Sequence, residues 1–407
     1  MSLVKQSYII LRRIRSFMRK KILVYLVSIV AFFGPFTQTI YTPMLPEIGQ
    51  QFQASQDAIN LTVSIYPLFF AIMQLVYGPL IDKYGRRRIL LIGFLFFLLA
   101  TVGAAMSSSV QMLILFRALQ ACGGAVGSVA ALTVIGDLFE GKLRGRAMGI
   151  YQMLVALGPG LGPIFGGFVG QHYGIHRIFW ALLGITGILW FILLLFLPET
   201  RTITSGVDRF RIRHLSNVLT HRVGLAIVVL GSVQYSVFYL LLILLPSILT
   251  DLYKLSPSQT GLMFLPISLC VVIGSLVGGR IQEYFDLKKL LVTMAFLNMA
   301  TVLLFAVFAS VSLPILTCCL SLFGIFLGLS LPLQTTLLAN ELPHHRATST
   351  GVYNFFRYVW MTIGPVVGTY FYRFGFQVEF YACVIIFGCS LVFIYRQFFF
   401  GADVSRG

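Results

Sequence analysis

Gly78-Pro79-Leu80-Ile81-Asp82-Lys83-Tyr84-Gly85-Arg86-Arg87-Arg88 is a short, charged, glycine-punctuated turn between two long apolar runs, 58–80 and 89–107. Two membrane helices joined by so few residues form a tight hairpin. Gly78 admits close helix approach, Gly85 supplies the positive φ of the turn, and three successive arginines hold it on the cytoplasmic side. A generic positive-inside hairpin accounts for the arginines. It does not account for Asp82, set between the two glycines at fixed spacing.

Outward from this turn, the whole chain has the same character. Of 407 residues, 58% are apolar and 11% charged, and mean hydropathy is +0.89. Soluble domains carry about 25% charged residues, so there is too little polar surface here to cover a globule in water. Apolar runs of about 20 residues, enough to cross a ~30 Å hydrocarbon core, recur near 22–44, 58–80, 89–107, 110–136, 147–170, 178–197, 223–245, 258–279, 290–309, 312–338, 347–371 and 380–395. The expected fold class is an all-α membrane protein with twelve transmembrane helices.

The net charge of +17 could suggest nucleic acid. With both termini on one side, however, most Lys and Arg fall in the N-terminal tail and in the turns of that same side. This is the positive-inside bias, so no nucleic-acid partner is expected. The basic segment 1–21 lacks a signal-peptide core or cleavage pattern and reads as a retained cytoplasmic tail. The six cysteines all lie inside apolar runs and imply neither a disulfide framework nor a metal site.

Sliding the chain against itself by about 200 residues aligns its halves. Leu45-Pro46 meets Leu245-Pro246, and Gly78 and Tyr84 meet Gly278 and Tyr284. Gly149, Gly162-Pro163 and Gly166 meet Gly351, Gly364-Pro365 and Gly368. The repeat is parallel, which divides the chain into bundles 22–197 and 223–395, a linker 198–222 and a C-terminal tail 396–407. In the second half the charged turn has decayed: Gln282 and Phe285 replace Asp82 and Gly85, while Lys288 and Lys289 keep the charge.

The spacing Gly-x3-Asp-Lys-x-Gly-Arg-Arg at 78–87 resembles the helix 2–3 signature of the major facilitator superfamily of secondary transporters. The parallel repeat is similar to its plan of two six-helix bundles. The resemblance implies a substrate site between the halves near the midplane and gating by Gly78, Asp82, Gly85, Arg86 and Asp137. Asp82 would meet the N-terminus of helix 11, or else form a static ion pair that fixes the hairpin. In helix 5, Gly158, Gly162 and Gly166 make a side-chain-free groove for a neighbouring helix, and Pro163 bends the rod. With Gly149 and Gly167, this string resembles the signature of proton-coupled antiporters in the drug-efflux branch. In helix 4, Arg117-x-x-Gln120-x-x-Gly123 resembles the element linked there to proton transfer.

Arg357 lies about ten residues into helix 11, too deep to snorkel, and is expected to face the central cavity or a buried partner. Every carboxylate falls at a span end or in a loop, so the cavity offers arginines rather than acids. The expected substrate-binding set is Gln38, Tyr41, Arg117, Gln120, Gln234, Tyr235, Tyr239, Gln334, Asn354 and Arg357, suited to an anionic or amphiphilic compound. Glu47, Asp57 and Arg117 are the proton-coupling candidates. The expected function is proton-coupled efflux of small amphiphilic compounds. Export of an endogenous anion such as a siderophore is the alternative, and uptake by symport a third. No hydrolase, metalloprotease or phosphate-loop motif is present, so neither an enzyme nor a cofactor is expected. The partners are a small-molecule substrate, protons and lipid; the protein is expected as a monomer, and short loops suit a bacterial inner membrane.

Overall fold

The structure is a computed structural model that describes residues 2–139, 141–200, 218–342 and 346–400. Residues 201–217 of the expected linker and 401–407 of the expected tail lie outside these. The described residues form twelve long helices. In the first half they are α1 (Ser2–Thr39), α2 (Gln56–Tyr84), α3 (Arg86–Ala105), α4 (Val110–Leu138), α5 (Gly141–Tyr173) and α6 (Ile175–Phe196). The second half has α7 (Arg222–Tyr253), α8 (Phe264–Ile281), α9 (Leu287–Phe308), α10 (Leu313–Glu341), α11 (Arg346–Tyr372) and α12 (Phe376–Phe399). Short helices Leu45–Phe52 and Pro257–Leu262 follow α1 and precede α8.

Eleven of these segments are long and apolar enough to cross a membrane. The twelfth, α11, has the length but carries Asn354 and Arg357 among its apolar residues. The segment expected as a separate basic tail is instead continuous with α1 from Ser2. It contains neither Gly nor Pro before Gly34, so nothing breaks the helical ladder.

The internal repeat extends to the helix ends. Ser55 and Ser109 accept from the backbone N–H groups of Ala58 and Met112 at the starts of α2 and α4. Ser256 and Ser312 do the same for Gln259 and Ile315 in the second half. Each serine satisfies a donor that the first turn leaves without a helical partner. Gly174 and Gly375, with φ of 81° and 107°, turn the chain into α6 and α12.

Each half packs around its own apolar core. In the first, α1 packs on α5, α2 on α4, and α3 on α6; in the second, α7 packs on α11, α8 on α10, and α9 on α12. The halves meet through α2 with α11 and α5 with α8, two contacts exchanged by the same repeat. We call the end bearing the 2–3 turn the basic face and the opposite end the far face.

Candidate functional site

The helix 5 groove is filled by α1. A Cβ at Gly158 would lie 2.8 Å from the Phe36 nitrogen and at Gly162 2.5 Å from the Phe36 carbonyl oxygen. At Gly166 it would overlap the Ile40 carbonyl. Helix α5 therefore lies backbone to backbone on α1, while Gly167 and Pro163 turn toward Pro257 and Gly261 of the other bundle.

Contacts between bundles lie in the middle and far half of the interface. Asn60 of α2 donates to Thr369 of α11 at 2.9 Å, and Arg373 pairs with Asp57 at 2.6 Å. Gln171 of α5 accepts from the Ser258 backbone at 2.9 Å, and Phe70 packs on Tyr358 with ring centroids 5.4 Å apart. Toward the basic face, Gly78, Gly149, Gly279 and Gly351 each have room for a Cβ, with nothing within 4 Å. They belong to α2, α5, α8 and α11, the four interface helices. Gly78 was expected to serve close helix approach, but among the described residues nothing lies within 4 Å of a Cβ placed there. Among the described residues, the contacts named above close the far face, and these four glycines leave room at the basic face.

The basic-face turn is a charge cluster. Gly85 adopts φ 95°, and Arg86 is 4% exposed. The Arg86 guanidinium donates to both oxygens of Asp137, at 2.8 and 3.4 Å, and reaches Asp82 at 3.5 Å. Asp82 is the looser partner, with 42% of its side chain exposed against 16% for Asp137. Among the described residues, Asp82 pairs with Arg86. Sequence reasoning missed Glu199. Its carboxylate accepts from the backbone N–H groups of Arg86 and Arg87, at 3.0 and 3.2 Å, and so neutralises the start of α3. The signal was an acid directly after the Pro198 that ends helix 6. In the second half, Lys288–Glu341 at 2.9 Å joins α9 to α10 where Arg86–Asp137 joins α3 to α4.

The two membrane arginines have different fates. Arg117 is 0% exposed, deep in the first bundle. Its Nη1 donates to Gln120 Oε1 at 2.6 Å and its Nη2 to the Gln38 carbonyl at 3.0 Å. The guanidinium lies between the rings of Tyr41 and Tyr66, 4.8 and 4.5 Å from their centroids. Gln120 in turn donates to Thr101, and the Tyr41 hydroxyl to Thr62. Gln38, Tyr41, Arg117 and Gln120, expected to line the cavity, are thus internal to one bundle. The same holds for Gln234 and Gln334. Gln334 donates to Gln234, Gln234 to Asn298 at 3.3 Å, and Tyr353 to Gln334 at 2.7 Å. Tyr239 is 1% exposed.

Arg357 remains at the interface. Its guanidinium sits 4.2 Å over the Tyr235 ring, with Tyr353 and Tyr358 at 5.5 and 5.6 Å. Tyr358 packs against both cores, and Tyr151 of α5 lies within electrostatic reach. Among the described residues no carboxylate pairs with Arg357. Tyr235, Asn354 and Arg357 are only partly buried. A positive, aromatic-walled site at the bundle interface can receive an anion and stack an apolar body beside it. Of the proton-coupling candidates, Asp57 is engaged with Arg373 and Arg117 is sealed. Glu47 keeps one carboxylate oxygen buried with no hydrogen-bond partner among the described residues.

Comparison with known proteins agrees with this architecture. Citrate exporter 1 of Aspergillus niger is 27% identical over 301 residues, 65% of this chain and 57% of its own length. The MFS antiporter QDR3 of Candida albicans is 33% identical over 183 residues, 44% of this chain and 26% of its own. The chain therefore spans just over half of the first relative and about a quarter of the second. Among solved structures, a bacterial homologue of the human lysosomal transporter Spinster, inward-facing and unoccupied, superposes with TM-score 0.81 at 17% identity over 93% of this chain and 97% of that one. The human organic anion transporter MFSD10 (TETRAN) gives 0.70 at 16% over 92% and 99%. The sequence pattern of the Major Facilitator Superfamily matches residues 27–365 and 235–402. With that match across both bundles, the chain belongs to the Major Facilitator Superfamily of transporters.

Proposed function

We propose that this transporter exports small organic anions, including amphiphilic ones, by alternating access coupled to protons. The observation that carries the reading is Arg357, a half-buried residue at the bundle interface whose guanidinium is walled by tyrosines and has no carboxylate partner among the described residues. An arginine at membrane depth costs roughly 2.5–3.5 kcal/mol on insertion scales. Its position fits it to offset that cost by taking the substrate's negative charge. The interface, closed at the far face and open at the basic face, corresponds to an inward-open state once the basic face is placed in the cytoplasm by the positive-inside rule. Glu47 is the candidate proton carrier among the residues expected from sequence. The similarity to a citrate exporter supports anionic cargo, while the helix 5 string and the similarity to an antiporter support exchange.

Inverted membrane vesicles test the coupling. Under a proton gradient they should accumulate a tricarboxylate such as citrate, or a sulfonated aromatic anion, and lose it on adding a protonophore. Accumulation of neither anion under a gradient, or accumulation untouched by the protonophore, would contradict the proposal.

A further inference from the structure

Glu379 stands in the first turn of α12, at the far-face end of the helix, where a carboxylate is ordinarily solvated. Instead it is 1% exposed, and among the described residues no group hydrogen-bonds either oxygen. It lines a cavity of about 90 Å³ between α7, α11 and α12, whose other walls include Leu240, Val367, Phe371 and Ile386. An ionised carboxylate taken from water into such surroundings is far more costly than the protonated acid. The species that fits this seat is the neutral acid.

The repeat shows that the seat is built. Gly162 and Gly166 of α5 lie directly on the backbone of α1. Their counterparts Gly364 and Gly368 of α11 face side chains instead. A Cβ at Gly364 would overlap the Ser236 hydroxyl, and one at Gly368 would overlap Glu379 Oε1. The same glycine face that closes one bundle has been opened in the other to admit a carboxyl group. Next to Gly368, Thr369 accepts from Asn60 across the bundles, and one turn further Arg373 pairs with Asp57. Glu379 therefore supports from behind the stretch of α11 that closes the far face.

We propose that Glu379 is a proton-binding site that links the far face's state to protonation. The neutral acid is compatible with the closed face; loss of the proton to water favours the open face, where the carboxylate can be solvated. The proton passes between water and one Glu379 oxygen, and no other bond changes. Among described residues, the titratable groups facing it are Tyr372 of α11 and Cys383 of α12. Helix α7 offers Ser236 and Leu240, and Phe305 of α9 packs on the neighbouring Phe380. Asp251, at the end of α7, acts on Tyr372.

This inference rests on the alternating-access reading, but its test needs no substrate and can fail separately. The full chain in lipid nanodiscs would be followed by infrared spectroscopy and by hydrogen exchange of segments 56–62 and 367–373 as pH rises. Wild type should show a protonated-carboxyl band that disappears in step with loss of protection at both segments. Glu379→Gln, which mimics the neutral acid, should lack that band and keep both segments protected across the range. Should Glu379→Gln fail to fold, Glu379→Asp replaces it and should shift the pH at which band and protection are lost together. The inference is overturned if the substituted protein keeps the wild-type band and pH response, or if wild-type band and protection do not change together.

Discussion

Arg117 and Arg357 are alike in sequence, each the lone charged residue of its apolar run, 110–136 and 347–371, and opposite in structure. Arg117 is locked inside one bundle by Gln120, the Gln38 carbonyl and two tyrosine rings. Arg357 stands between bundles, stacked on Tyr235 and without an acidic partner among the described residues. The difference teaches that membrane depth alone does not mark a substrate contact. What matters is whether the bundle's own polar groups already satisfy the charge. Where they do, the arginine holds helices together; where they do not, it is available to a ligand.

The comparison breaks most easily at Arg117. Arg117→Met strips partners from Gln120 Oε1 and the Gln38 carbonyl, and each buried acceptor left unpaired costs about 1–3 kcal/mol. The expected outcome is a large fall in thermal stability in detergent and loss of folded protein. A variant as stable as wild type but altered in substrate preference would place Arg117 at the substrate after all.

A smaller effect sharpens the contrast between bundle interior and open interface along α5. Gly158→Ala should destabilise by about 1–3 kcal/mol, because its Cβ would press on Pro35 and Phe36. Gly149→Ala, about two and a half turns nearer the basic face, meets nothing within 4 Å among the described residues. It should leave stability unchanged or raise it by up to ~1 kcal/mol through helix propensity. Equal destabilisation by both would contradict the room left at the basic face.

The fold was legible because apolar run length and positive-inside charge depend on composition along the chain, which the sequence displays directly. The repeat was legible where glycines and prolines mark helix packing, and the structure adds its serine caps and the Lys288–Glu341 bridge. Facing was harder to read. Gln234 and Gln334 are polar residues on helices expected to line the cavity, and helical periodicity cannot say that Asn298 and Tyr353 will satisfy them inside the bundle. Glu379 was read only as one of the carboxylates that fall at a span end or in a loop. The packing of α7 and α11 over that first turn, invisible in α12 itself, buries it.

The most direct test of the account compares transport of one anionic and one cationic amphiphile by wild type and Arg357→Gln in the same vesicles. Arg357 gives up stacking with its tyrosines, about 0.5–1 kcal/mol for such cation–π contacts near solvent, and a hydrogen bond shared with Tyr353, about 0.5–1.5 kcal/mol, so the variant should fold with a modest loss of stability. The account predicts that wild type prefers the anion and that Arg357→Gln loses anion export by tenfold or more, about 1.4 kcal/mol, while cation export changes little. Equal loss of both substrates, or a wild-type preference for the cation, would contradict it.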